Sequence, residues 1–146
     1  MKTILLAAVV TIMNFSLLKA ISPAIVIEPK NEGRSISFKL SAKVDNTNIT
    51  IDWGKGVTEN FIIGTKDTLF TGESQETEIK IYGSSIARFK IEQLPLKRVN
   101  FADNSGIKNV QIINCQIDSL GLINNNNLDT LIVNSNNLQT LNIFFS

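Results

Sequence analysis

Histidine is missing altogether, and Cys115 is the single cysteine among 146 residues. That scarcity excludes a histidine-based catalytic triad, a His/Cys zinc site, an iron–sulfur ligand set and any intramolecular disulfide. A chain without cross-links has to stand on its packing. Charge is sparse and balanced: 14 basic and 13 acidic residues leave a formal +1. No broad electrostatic footprint therefore draws the molecule to nucleic acid or to anionic lipid. Hydrophobic residues make up 43% against 18% charged, enough to bury a core and too many for a disordered polar chain. The length fits one compact domain, or two small ones that share an interface.

The longest apolar run opens the chain. Lys2 supplies a positive start, residues 4–13 are apolar apart from Thr11, and Asn14 and Ser16 precede Leu17, Leu18, Lys19 and Ala20. This is the layout of a secretory signal peptide (residues 1–20), and it is too short for a membrane span. Cleavage is expected after Ala20, with Ala24 as the alternative, so the mature form has no membrane span. Neither cut has a cysteine beside it to carry a lipid. The expected location is secreted or cell surface, with the periplasm also compatible.

Residues 21–84 read as an antiparallel β domain. Residues 35–42 alternate strictly, with Ile36, Phe38, Leu40 and Ala42 on one face and Ser35, Ser37, Lys39 and Ser41 on the other, which is the period of a half-buried strand. Ile49, Ile51 and Trp53 repeat the alternation, and Gly54-Lys55-Gly56 then supplies a turn. The segment Asp45-Asn46-Thr47-Asn48 between these two strands is rich in turn formers, so a hairpin is expected there. Ile79 and Ile81 mark a further strand before Gly83, and residues 25–28, stopped by Pro29, read as an edge strand. Asp52, Glu59, Asp67 and Glu73 invite a calcium site or a carboxylate pair, but their spacing matches no calcium loop and Lys55 sets a positive charge beside Asp52. They read as solvated acids. Asn48, Ile49 and Thr50 fit the glycosylation sequon, a short motif that has meaning only in a eukaryotic secretory pathway.

Residues 85–146 repeat with a period of 21, in units 86–106, 107–127 and 128–146. Phe89, Val110 and Leu131 align, as do Ile91, Ile112 and Val133; Leu96, Ile117 and Leu138; Val99, Leu120 and Leu141; and Phe101, Leu122 and Ile143. The unit LxxLxLxx(N/C)xL is the leucine-rich pattern. Its apolar positions point into a coil and meet the same position of the next coil, so stacking makes the core. Two semi-polar columns mark bends: Leu94, Cys115 and Asn136 in one, Asn104 and Asn125 in the other. Asparagine there can satisfy backbone groups that a bend leaves unpaired. Asn104, Cys115, Asn125 and Asn136 are accordingly read as structural, and residues 124–127 as a turn between coils. The fold class expected is mainly β: a small antiparallel β domain followed by a short leucine-rich-repeat solenoid.

The strings ITIDWGKG and EIKIYGSSIARFKIEQ, running into units such as LDTLIVNSNNLQTLNI, resemble secreted or surface leucine-rich-repeat proteins of the Bacteroidetes type. The resemblance covers residues 33–146. Listerial internalins look like more distant relatives, and what they imply is adhesion or protein binding on a solenoid face. Lys55 departs from the family's DWGDG pattern, and the number of repeats is small, as in a truncated or minimal member.

Within LxxLxL the x positions alternate with the core and face outward. Arg88, Lys90, Glu92, Asn109, Gln111, Ile113, Thr130, Ile132 and Asn134 are thus expected to tile a concave binding face. No catalytic constellation, metal ligand set or cofactor motif accompanies them, and the chain is read as a binding module rather than an enzyme. The expected partner is a protein or polysaccharide, not nucleic acid. The alternative is a structural or vestigial module. In that reading residues 128–146 form an uncapped coil, which is expected to drive homo-oligomer formation.

Overall fold

The computed structural model describes residues 21–102 and 106–144. The signal peptide read over residues 1–20, and Asn104, lie outside the described residues. Every regular element among those described is a strand. The first six are β1 (Ile25–Pro29), β2 (Ser35–Ala42), β3 (Thr47–Asp52), β4 (Thr58–Ile63), β5 (Thr68–Glu73) and β6 (Ile79–Tyr82). The repeating half supplies β7 (Ile86–Glu92), β8 (Leu96–Phe101), β9 (Asn109–Ile113), β10 (Ser119–Gly121), β11 (Thr130–Ile132) and β12 (Thr140–Asn142). They form a seven-stranded sheet in the order β12-β10-β8-β1-β6-β3-β4 and a five-stranded sheet in the order β11-β9-β7-β2-β5. The architecture is mainly β.

The alternating residues dictate the layering. Ile36, Phe38 and Leu40 of β2, Ile25 and Ile27 of β1, and Ile79 and Ile81 of β6 are buried in one core that both sheets share. Each such side chain stabilises the fold by roughly 1.5–3 kcal/mol on burial. An aromatic chain links the layers: Phe61 meets Phe70 at 4.9 Å, Phe38 meets Phe70 and Trp53 at 5.9 Å and Phe89 at 6.1 Å, and Phe89 meets Phe101 edge-on at 5.4 Å.

Two sequence expectations are corrected here. β2 and β3 do not form a hairpin: β2 pairs with β5 and β7 in one sheet, whereas β3 pairs with β4 and β6 in the other. Turn formers at residues 45–48 serve a crossing between sheets, where Asn46 takes a φ of 59°. The hairpin is β3–β4, closed by Gly54, Lys55 and Gly56 at φ of 103°, 51° and 77°, with Asp52 Oδ1 accepting the Gly54 N–H at 2.9 Å. Nor is β1 an edge strand, since it lies between β6 and β8 with Ile25 and Ile27 fully buried. Pro29 is tolerated because it is the last residue of β1, at a shift of register beside β8.

Beyond β7 and β8 the pairing turns parallel and keeps a constant step. Phe89 pairs with Val110 and Val110 with Leu131 in one sheet, while Val99 pairs with Leu120 and Leu120 with Leu141 in the other. Each unit contributes one strand to each sheet. Both sheets run through the junction at residues 84–85, because β1 pairs with β6 and β8 and β2 with β5 and β7.

Gly72 of β5 has the indole of Trp53 against it, and a Cβ there would sit 2.5 Å from the ring carbons. Gly72→Ala is therefore expected to destabilise the protein by about 1–3 kcal/mol as an overpacked site, although alanine ordinarily suits a strand better than glycine. Urea unfolding followed by fluorescence of Trp53, the one tryptophan, checks this; an unchanged midpoint would mean that the indole moves at no cost.

Candidate functional site

The outward face of the five-stranded sheet carries the residues singled out by the repeat. Register brings Arg88 beside Asn109 and Lys90 beside Gln111 and Glu92 beside Ile113, on strands β7 and β9. Thr130 and Ile132 of β11 then pair with Asn109 and Gln111. Arg88, Glu92 and Asn134 are exposed; Lys90, Asn109, Gln111, Ile113, Thr130 and Ile132 are half-buried. Eight of the nine thus lie in strands that pair directly, and Asn134 follows β11.

One row crosses the whole sheet: Leu69, Lys39, Lys90, Gln111 and Ile132 are successive partners on β5, β2, β7, β9 and β11. Lys39 and Lys90 stand directly opposite, a destabilising like-charge pair that Glu92 offsets by meeting Lys90 at 3.1 Å. Gln111 Nε2 donates to Asn109 Oδ1 at 3.1 Å, so two of the amides are oriented by each other. Asp67 meets Arg88 at 3.7 Å, both half-exposed, a pair worth little in water.

At one end of this face, where β7, β9 and β11 begin and β2 ends, lies an open recess of about 530 Å³. Its lining includes Lys43, Arg88, Lys108, Thr65 and Asn127 over a floor of Ala42 and Ala87. Only Arg88 belongs to the set expected from the repeat. Lys43 and Thr65 come from the antiparallel half, far away in sequence, and the pattern of one repeat unit cannot point to them. Lys108 occupies the repeat column of Ala87 and Asp129, so it was within reach of the pattern but carried no distinguishing signal.

The turn columns have a defined geometry. Asn136 Oδ1 accepts the Cys115 N–H at 3.0 Å and the Ile117 N–H at 3.4 Å, and its Nδ2 donates to the carbonyls of Ile112 at 2.7 Å and Asn134 at 3.1 Å. Asn125, fully buried, donates through Nδ2 to the carbonyls of Ala102 at 3.3 Å and Ile123 at 3.0 Å. Cys115 places Sγ near the carbonyls of Ile113 at 3.3 Å and Ile91 at 3.6 Å, the positions that Ile112 and Asn134 hold around Asn136. Just before this column, Gln93, Asn114 and Ser135 all take a left-handed φ of 53–54°.

The acids considered for metal or hydrolytic chemistry are dispersed. Asp52 is engaged in the β3–β4 turn, the indole N–H of Trp53 donates to Glu59 at 3.4 Å, and Asp67 faces Arg88. Among the described residues no three His, Cys, Asp or Glu side chains form a group able to hold a metal ion. No described helix is long and apolar enough to cross a membrane. Comparison with known proteins found no match among family models, curated proteins or solved structures.

Burial pushes the Cys115 thiol above its ordinary range, and Glu92 adds to the effect, while nearby backbone donors oppose it. Folding therefore favours the neutral thiol. Its contribution to stability is complete below the unfolded thiol's pKa and is lost as the pH rises through the higher folded value. Cys115 is expected to resist a thiol reagent near neutral pH and to react only on unfolding or at strongly alkaline pH; rapid labelling of native protein would refute its burial. Cys115→Asn is expected to keep the fold, since Asn136 shows that an amide fits the same carbonyl pair, whereas Cys115→Lys is expected to lose it. Asn136→Ala is expected to cost about 1–3 kcal/mol through the backbone groups it leaves unpaired, measured by chemical denaturation.

Proposed function

We propose that the chain is an extracytoplasmic binding module of the leucine-rich-repeat type, secreted or held at the cell surface, that engages a protein or polysaccharide ligand and performs no catalysis. The observation that carries this reading is the in-register outer face, on which Arg88, Lys90, Asn109, Gln111, Thr130 and Ile132 stand on adjacent paired strands. Such a surface offers amide and hydroxyl groups, paired charges and two aliphatic side chains, Ile113 and Ile132, on a rigid support, the composition expected of a binding face rather than of a reaction centre. Cleavage of the leader after Ala20 fits better than after Ala24, because Ala24 is buried and its N–H donates to the Ile81 carbonyl at 2.8 Å. The proposal extends to an adhesin-like role on the resemblance to surface repeat proteins.

A second reading has its own support. Among the described residues β11 and β12 are the outermost strands at the same end of the two sheets, and Leu141 and Phe144 are 48% and 68% exposed. Unpaired edges with apolar side chains favour pairing with another chain, and the occupant proposed is a second copy of this one through residues 128–144. Sedimentation over a wide concentration range is expected to show association that Leu141→Lys with Phe144→Lys abolishes; a monomer throughout discards this reading.

Ile113→Glu and Ile132→Glu are expected to leave the melting temperature close to that of the parent, because both side chains face outward, and to weaken capture of candidate matrix proteins or glycans by roughly tenfold or more. A pull-down with the purified protein and its two variants checks the face. Unfolding by either substitution would place that residue in the core, and undiminished capture would move the binding surface elsewhere.

A further inference from the structure

We infer that the recess at the head of β7 and β9 is an oxyanion subsite, and that it anchors the uronate carboxylate or sulfate ester of an acidic saccharide whose sugar hydroxyls lie along the adjoining amide row. This inference rests on the binding-face reading and names its ligand class.

The recess brings three cations together from three separate elements: Lys43 after β2, Arg88 on β7 and Lys108 before β9. Among the described residues neither Lys43 nor Lys108 has a carboxylate partner, and Arg88 holds Asp67 only at 3.7 Å. Like charges gathered around one concavity repel each other, and an incoming anion relieves that repulsion. Thr65 adds a hydroxyl at the wall. Its N–H and Oγ donate to Asp45 Oδ1 at 2.9 and 3.2 Å, which fixes the loop while leaving the hydroxyl oxygen's lone pairs free only to accept. The cationic side chains among the lining are Lys43, Arg88 and Lys108, the residue types that recognise carboxylate and sulfate oxygens.

The surroundings choose among anions. A duplex or a single nucleic-acid strand is held along a basic stripe by many phosphates, whereas here Lys90, the next cation along β7, is paired with Glu92 at 3.1 Å, and β9 and β11 continue the face with amide, hydroxyl and aliphatic side chains. Moving away from the recess along the sheet one meets Asn109, Gln111 and Thr130, partners of Arg88 and Lys90 and of one another. Amides and hydroxyls both donate and accept, which suits the hydroxyls of a sugar chain. At about 530 Å³ the recess has the size of a small-molecule site.

The test is calorimetric titration of the purified full chain with an oligogalacturonate, a heparin-type sulfated oligosaccharide and a neutral glucan oligosaccharide of equal length, with Lys43→Ala and Lys108→Ala alongside. Both lysine side chains are on the surface, so thermal melts are expected to be unchanged. The expected result is binding of at least one acidic oligosaccharide over the neutral one, weakened by salt, competed by inorganic sulfate, and reduced roughly tenfold by each substitution. The better of the two acids tells carboxylate from sulfate. Acidic oligosaccharides that bind no tighter than the neutral one, or bind both variants as tightly as the parent, overturn the subsite. If the neutral glucan or a protein then binds and is lost in Ile113→Glu, the face reading stands without it. Tighter binding to RNA or to phosphatidylserine vesicles than to any saccharide overturns the assignment to sugar.

Discussion

β1 and β2 each commit both backbone edges to antiparallel neighbours, β1 to β6 and β8 and β2 to β5 and β7. A repeat unit that buries its apolar row only against the next unit leaves its first member uncovered. Here the first parallel strands, β7 and β8, are covered by strands of opposite sense, so Phe89 and Val99 are as well buried as Val110 and Leu120. Ion pairs at the outer surface reinforce the junction: Glu28 of β1 meets Lys97 at 2.8 Å and Arg98 at 3.2 Å on β8, and Arg98 reaches Glu78 at 3.0 Å just before β6. Because Glu28 is mostly buried, with 15% of its side chain exposed, this arrangement is less screened than an ordinary surface pair. Everything farther along the chain, including the candidate binding face, inherits its register from this junction.

What was legible in the sequence was whatever alternates or repeats. Strict alternation gave β2 its observed limits, and the step of 21 residues gave the column partners that the sheets later join, Phe89 with Val110 and Leu131 among them. Partnership between dissimilar segments was not legible. Residues 45–48 are turn formers whether the chain reverses within one sheet or crosses to another, and the alternation of β2 and β3 is the same in both cases. β4 and β5 are not legible, because exposed Ile62 and Leu69 and the glycine at 72 blur their alternation. The second strand of the last two units is equally faint, since β10 and β12 are three residues long. For the site the division is the same: the periodic face followed from the repeat, and the cationic recess, assembled from Lys43, Thr65 and Lys108, needed the third dimension.

The turn columns show how a non-apolar residue belongs inside a stack. Asn136 serves two N–H groups and two carbonyls at once, which uses its full amide capacity. Cys115 serves the carbonyl side only weakly, through sulfur, and the N–H groups of its own bend are met from Asn136 above. Satisfaction is thus passed from the third unit to the second, and the apolar rows and the polar columns share a single period.

That common period makes length in this half of the molecule a counted quantity. Strand partners lie 21 residues apart, left-handed residues recur at 93, 114 and 135, and the hydrogen bond between Asn136 and Cys115 spans the same 21 residues. Duplication or deletion of one whole unit would keep the columns in step, whereas an insertion of a single residue within a strand would turn the remaining side chains of that strand to the opposite face. Length in this half therefore changes at the least structural cost by whole units, and a change of one residue is felt along the entire strand that receives it.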